Sequence, residues 1–102
     1  MTTLESTPTR ASITLEGRRL SYLEWSPRQT DRPTLVLLHG GNSAAADWQD
    51  VATAFADQYR VLAPDLRGRG FSDWDPEQDY TVAATVTDVE AWRAQLGLSR
   101  MG

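Results

Sequence analysis

The run Leu35-Val36-Leu37-Leu38, between Thr34 and His39, does most to narrow the fold. Its four apolar residues do not alternate with polar ones, so a strand built from them is buried on both faces, as in the parallel sheet of an α/β fold. A parallel neighbour needs a crossover, and the sequence beyond has helical period. Trp48, Val51, Ala52 and Phe55 recur at i, i+3, i+4 and i+7, with Asp47 placed to cap and Asp50 favourable in the first turn. Arg60 to Ala63 is a second short apolar strand, stopped by Pro64. Thr81 caps a second helix whose Val82, Val86, Val89, Trp92 and Leu96 fall on one side, ending at Gly97 with Leu98 beyond. Strand, helix, strand, helix in this order predicts a right-handed β-α-β unit.

Upstream, Ser12 to Glu16 and Arg19 to Trp25 alternate partly between apolar and polar about Glu16-Gly17-Arg18, which predicts a hairpin turning at Gly17. Residues 1–11 are assigned to a flexible tail and residues 12–102 to one folded unit, since 102 residues suffice for a single domain. Several chemistries are disfavoured by composition. Cysteine is absent, which removes disulfides and thiolate catalysis, and with one histidine, His39, a metal site lacks ligands. All ten basic residues are arginines, scattered through a chain of net charge −4, so nucleic-acid binding has little support. No apolar run approaches the ~18 residues of a membrane span and no signal-like segment opens the chain, so a cytoplasmic location follows by default. No cofactor is expected.

The stretch Gly41-Asn42-Ser43-Ala44-Ala45 comes within one methyl group of G-x-S-x-G, the serine elbow. A nucleophilic Ser43 would need a base within reach, yet His39 belongs to the same turn and the chain has no lysine. Ala45 also replaces the glycine that lets helix pack closely on strand, so Ser43 reads as a loop serine. A glycine-rich turn between a buried strand and a helix N-terminus presents amide donors with a positive dipole behind them, suited to an oxyanion. Gly40 and Gly41 would allow close approach. Gly68-x-Gly70 hints at a dinucleotide loop, but the third glycine position is Asp73 and no helix starts there. Asp73, Asp75, Glu77 and Asp79 alternate without the Gly and terminal Glu of a calcium loop, which makes them a solvated acidic face.

Taken together, LVLLHGGNSAAADW, YRVLAPDLRGRGFSDW and the helix ending AWRAQLGL resemble the N-terminal portion of an α/β-hydrolase of the esterase and lipase type, over residues 12–100. The resemblance implies a mixed four-stranded sheet of order 1-2-4-3 with two helices, and an oxyanion-hole N–H from Gly41, with Asn42 as the second candidate. It makes His39 and Gly40 motif residues of structural type, and gives Asp65, Arg67, Gly68 and Gly70 the task of holding the loop after the fourth strand. A tight turn without a ligand role stands beside the oxyanion reading.

The family places its nucleophile on an elbow after a fifth strand, followed by the acid and the histidine. The expectation is therefore a chain that ends before that elbow, contains no catalytic residue of the triad, and carries only the oxyanion-loop half of a hydrolase for a small ester or related acyl substrate. HGGN in place of H-G-x-P leans away from epoxide hydrolases and dehalogenases. The LVLL strand would become a bare apolar edge, and the second helix would expose Val and Trp surface, which predicts self-association. Two other readings stay open: a non-catalytic α/β module that works by association, and a truncated gene product without function of its own.

Overall fold

The computed structural model describes residues 8–25, 33–39 and 44–98. Strands β1 (Thr9–Leu15) and β2 (Arg18–Trp25) form an antiparallel hairpin in which Leu15 faces Arg18 across Glu16 and Gly17. Both turn residues have positive φ, 50° and 81°, as in the two-residue turns whose twist matches that of the strands they join. The hairpin starts at Thr9, inside the segment assigned to a flexible tail. Its alternation runs back that far: Ala11, Ile13 and Leu15 lie on the core side while Arg10, Ser12 and Thr14 remain exposed.

Strand β3 (Thr34–Val36) pairs in parallel with β4 (Arg60–Pro64), and β4 pairs antiparallel with β2. The sheet order β1-β2-β4-β3 is the expected one. A 3₁₀ turn (Ala45–Trp48) runs into helix α1 (Gln49–Phe55) between β3 and β4, and helix α2 (Val82–Gln95) follows β4. Successive residues of β2 and β4 feed opposite sides of the sheet. Leu23, Trp25, Val61 and Ala63 pack with α1, while Leu20, Tyr22 and Leu62 pack with Trp92 and Leu98 at α2.

Three burial expectations change. The strand covered on both faces is β4, whose Val61, Leu62 and Ala63 are fully buried; Leu35 and Val36 are half-buried and Leu38 is 48% exposed. The reason is position, since β4 has strands on either side and β3 is the edge. In α1 the buried positions are Ala45, Ala52 and Ala56, with Trp48 partly covered, whereas Val51 and Phe55 are exposed. Alanines allow the short helix to lie close to the sheet, and Phe55 turns instead to an edge-on contact with Tyr59 at 5.9 Å. Asp47 is not the cap but sits one turn in, where its carboxylate accepts from the Ala44 N–H at 3.2 Å.

In α2 the ends fall as expected. The Thr81 hydroxyl accepts from Ala84 N–H at 3.2 Å, and Gly97 at φ 75° turns the chain so that Leu98 N–H reaches the Arg93 carbonyl at 3.0 Å. Its buried face is centred on Asp88 and Trp92, leaving Val82 81% and Val86 59% exposed. At 3.6 residues per turn Val86 lies roughly 120° around the helix from Trp92. Exposed valine surface was expected here; the fully buried Trp92, edge-on to Tyr22 at 5.7 Å, was not.

What orients α2 is an ionic contact. Arg67 grips Asp88 with two bonds of 2.7 Å, Nε to Oδ2 and Nη2 to Oδ1, and Arg18 adds 2.9 Å from the hairpin. Both Arg67 and Asp88 side chains are largely buried, 9% and 4% exposed. Burial by itself would raise the Asp88 carboxyl, but the bonds from Arg67 and Arg18 outweigh it and hold it below its usual range. A depressed folded value means that its stabilisation is present above the unfolded value, about 3.9, and is lost as pH falls through the folded one. In urea titrations followed from pH 7 to 2, Asp88→Asn should flatten this acid branch. Asp88→Ala should cost about 3–5 kcal/mol at neutral pH, because two buried guanidinium groups lose their partner.

Candidate functional site

The segment after β4 gathers most of the motif residues. Asp65 is fully buried at the end of the central strand, and its carboxylate accepts three bonds from three separate parts of the chain. Oδ1 takes the Ala45 N–H at 2.7 Å; Oδ2 takes Arg10 Nη1 at 2.9 Å and the Phe71 N–H at 3.1 Å. The guanidinium of Arg10 supplies the counter-charge that a buried carboxylate requires, and lies 4.1 Å over the Phe71 ring. The backbone of Asp65 is held as well, by its own N–H to the Ser21 carbonyl at 2.8 Å and by the Ser72 hydroxyl on its carbonyl at 2.5 Å.

His39 is buried at the end of the HG turn, and its Nε2 accepts the Leu66 N–H at 2.9 Å. That lone pair is thereby engaged in joining the end of β3 to the segment after β4. Gly40, Gly41, Asn42 and Ser43 lie outside the described residues. Their two flanks are both defined, however. His39 upstream is bonded to Leu66, and Ala45 downstream is bonded to Asp65, so adjacent residues of one loop clamp the interval from both ends.

The remaining motif residues shape that loop. Gly68 has φ 74°, and a Cβ there would meet Tyr80 Cε1 at 2.7 Å; Gly70 has φ 54°, and a Cβ would meet Asp65 Oδ1 at 2.3 Å. Arg69 N–H to Leu66 carbonyl (2.9 Å), Gly68 N–H to Asp73 carbonyl (3.0 Å) and Asp73 N–H to Arg19 carbonyl (2.8 Å) fold it back on the hairpin. Arg67 holds the far end through Asp88, through Asp75 at 3.2 Å and through the Asp79 carbonyl at 2.8 Å.

Of the alternating acidic residues Glu77 and Asp79 are exposed as expected, while Asp73 and Asp75 are partly covered. Asp75 takes Arg67, the Glu77 N–H and the Asp79 N–H, and Asp73 takes the Arg19 N–H at 2.8 Å. They tie the loop together by hydrogen bonds. Among the described residues no group of three or more metal-ligating side chains converges.

Sequence reasoning missed Arg10, Ala45 and Asp88 as partners of the motif. A signal for Arg10 was present in the alternation of Thr9 to Leu15, and one for Asp88 in its place one turn before Trp92. Nothing local marks Ala45, whose role rests on its backbone N–H. Because Gly70 combines positive φ with contact to the buried carboxylate, Gly70→Ala should destabilise the fold by about 2 kcal/mol or more in chemical denaturation. Asp65→Asn should leave the fold standing while accelerating hydrogen exchange at the Ala45 amide; unchanged protection there would contradict the clamp.

Comparison with known proteins agrees with this architecture. The model of the α/β-hydrolase fold family matches residues 33–101. A cis-3-alkyl-4-alkyloxetan-2-one decarboxylase of Xanthomonas campestris is 32% identical, aligned over 91% of this chain and 32% of its own. A soluble epoxide hydrolase of a Corynebacterium species is 40% identical, over 67% of this chain and 23% of its own. Among solved structures, an α/β hydrolase from Novosphingobium aromaticivorans superposes with a TM-score of 0.80 and 33% identity, covering 92% of this chain and 33% of that one. The chain thus spans less than a third of the length of these curated relatives. An epoxide hydrolase among them removes the weight given to HGGN against that class. No helix among the described residues is long and apolar enough to cross a membrane. The family match over residues 33–101 and the sheet order agree: the chain belongs to the α/β-hydrolase fold family.

Proposed function

We propose that this chain provides the oxyanion-loop part of a hydrolase site for a small ester, amide or related acyl substrate, with the Gly41 N–H, and Asn42 as second candidate, as the donor. The observation that carries this reading is the double clamp. It supports the reading because both flanks of the interval, His39 and Ala45, are bonded to the buried Asp65–Leu66 segment, and stabilising a tetrahedral oxyanion requires amides that are aligned before charge develops. His39 and Asp65 are positioning residues in this reading, and the nucleophile, acid and base come from outside these residues. The two buried serines of the described residues support that division: Ser72 donates to the Asp65 carbonyl and Ser21 accepts from Arg10. The reaction is therefore assigned by class, acyl transfer to water, with no cofactor.

The 102 residues alone should give no hydrolysis of p-nitrophenyl acetate above buffer; turnover that disappears in Ser43→Ala would overturn the assignment. Fused after Leu98 to the remaining part of an ester-hydrolysing α/β-hydrolase, the chain should support turnover. Gly41→Pro, which deletes the amide proton, should then lower kcat about 100- to 1000-fold with KM little changed.

A second reading, an association module, is favoured by the open side of β3. Leu38 is 48% exposed beside an edge strand of half-buried Leu35 and Val36, and such an edge accepts a strand from another chain. In sedimentation velocity the chain should run as dimers or larger species. Leu38→Lys, which places a charge at that exposed edge, should shift it towards monomer, and a monodisperse wild-type monomer would remove this reading.

A further inference from the structure

The hairpin has a polar face that shares Arg10 with the Asp65 knot and extends beyond it. Ser12 pairs with Ser21 across β1 and β2, so their side chains share a face, and Arg10 and Arg19, each two residues along its strand, share it too. Phe71 covers one end. We propose that the groove of about 220 Å³ lined by Arg10, Ala11, Ser12, Arg19, Ser21 and Phe71 binds the anionic end, carboxylate or phosphate, of a small ligand whose apolar body lies against Phe71.

The hydrogen-bond inventory points to an anion. Arg10 engages only Nη1, on Ser21 Oγ at 2.7 Å and on Asp65, which leaves Nε and Nη2 without protein acceptors among the described residues. The Arg19 guanidinium meets Asp73 through Nη2 alone, at 3.5 Å, with its side chain 56% exposed, while the Arg19 backbone N–H holds the same carboxylate at 2.8 Å. Ser21 is 2% exposed; its hydroxyl accepts from Arg10, and its own proton has no acceptor among the described residues. The groove therefore offers two partly unused guanidinium groups and a buried hydroxyl proton. Arginine forks match carboxylate and phosphate oxygens.

The nearby acids do not fill this demand. Asp65 is 1% exposed and already takes three donors, and Asp73, anchored by the Arg19 backbone N–H, meets the guanidinium only at long, solvent-screened range, so the other N–H groups of that guanidinium stay open to an incoming oxyanion. By contrast Arg18 and Arg67 are engaged at close range on Asp88 and have little to offer a ligand. Phe71 is 61% exposed with Arg10 over one side of its ring, so apolar surface stands beside the charge. The groove is small, which suits a simple aromatic or short-chain acid rather than an extended ligand. None of this rests on the oxyanion loop.

Equilibrium dialysis of the full chain against labelled benzoate and labelled inorganic phosphate tests the proposal, and its readout does not depend on oligomeric state. At low ionic strength at least one probe should bind saturably at one site. Benzoate alone would assign a carboxylate on a flat body, phosphate alone a phosphate group. Arg19→Gln, at an exposed position, should weaken binding about tenfold or more, and Phe71→Ala should weaken benzoate without affecting phosphate. Circular dichroism of both variants establishes that they are folded. Absence of saturable binding by either probe, equal displacement by chloride at matched ionic strength, or unchanged affinity in Arg19→Gln would overturn the site; benzoate binding unchanged by Phe71→Ala would overturn the apolar half.

Discussion

A single buried carboxylate, that of Asp65, sets the geometry on which the rest of the chain depends. Removing such a group from water costs several kcal/mol unless it is paired and hydrogen-bonded. Here the compensation comes from β1 through Arg10, from the entry to α1 through Ala45, and from its own loop through Phe71. Each donor lies far from the others in sequence, so satisfying the carboxylate brings three segments to one point. Gly70 completes the arrangement by leaving room where any Cβ would collide with the oxygens.

Two residues further along, Arg67 does for α2 what Asp65 does for α1. Asp65 reaches the N–H that opens the 3₁₀ turn on one side of the sheet, while Arg67 reaches Asp88 in the helix on the other. The loop after the central strand is thus the part that docks both helices, and the hairpin joins in through Arg10 on one knot and Arg18 on the other. Apolar packing supplies most of the driving force but has no direction of its own. The two ionic knots decide how the layers are turned, which is why α2 buries Asp88 and leaves Val82 and Val86 in solvent.

Much of this was legible in order and little of it in orientation. Gly17, Thr81 and Gly97 marked the hairpin turn and the ends of α2 because turn and cap chemistry acts over a few residues. The run LVLL announced a parallel sheet but not its centre; which strand is covered on both faces depends on sheet order, a non-local property. The helical faces were misjudged for a related reason. Periodicity sees Val51, Phe55, Val82 and Val86 as core and has no means of weighting Ala52, Ala56 or Asp88, whose burial is imposed by close approach and by partners elsewhere. Arg10 escaped because alternation weakens where Thr and Ser crowd the start of β1. Asp65, Arg67, Gly68 and Gly70 were singled out as a group through the family resemblance, but their partners could not be read from the motif.

The polar and apolar parts of the molecule differ in how complete they are. Asp65 has its three donors and Asp88 its two guanidinium partners within the described residues. The β3 edge and the Val82–Val86 flank, in contrast, present apolar surface to solvent. Directional bonds determine where the turn after β3 begins and ends, whereas cover for an apolar edge is non-directional and can come from any strand that fits. The relatives are more than three times as long as the segment they share with this chain, and their printed names span a decarboxylase and an epoxide hydrolase. The bonds that hold His39 and Ala45 lie wholly within the described residues, whereas cover for the β3 edge would have to come from another segment or another chain.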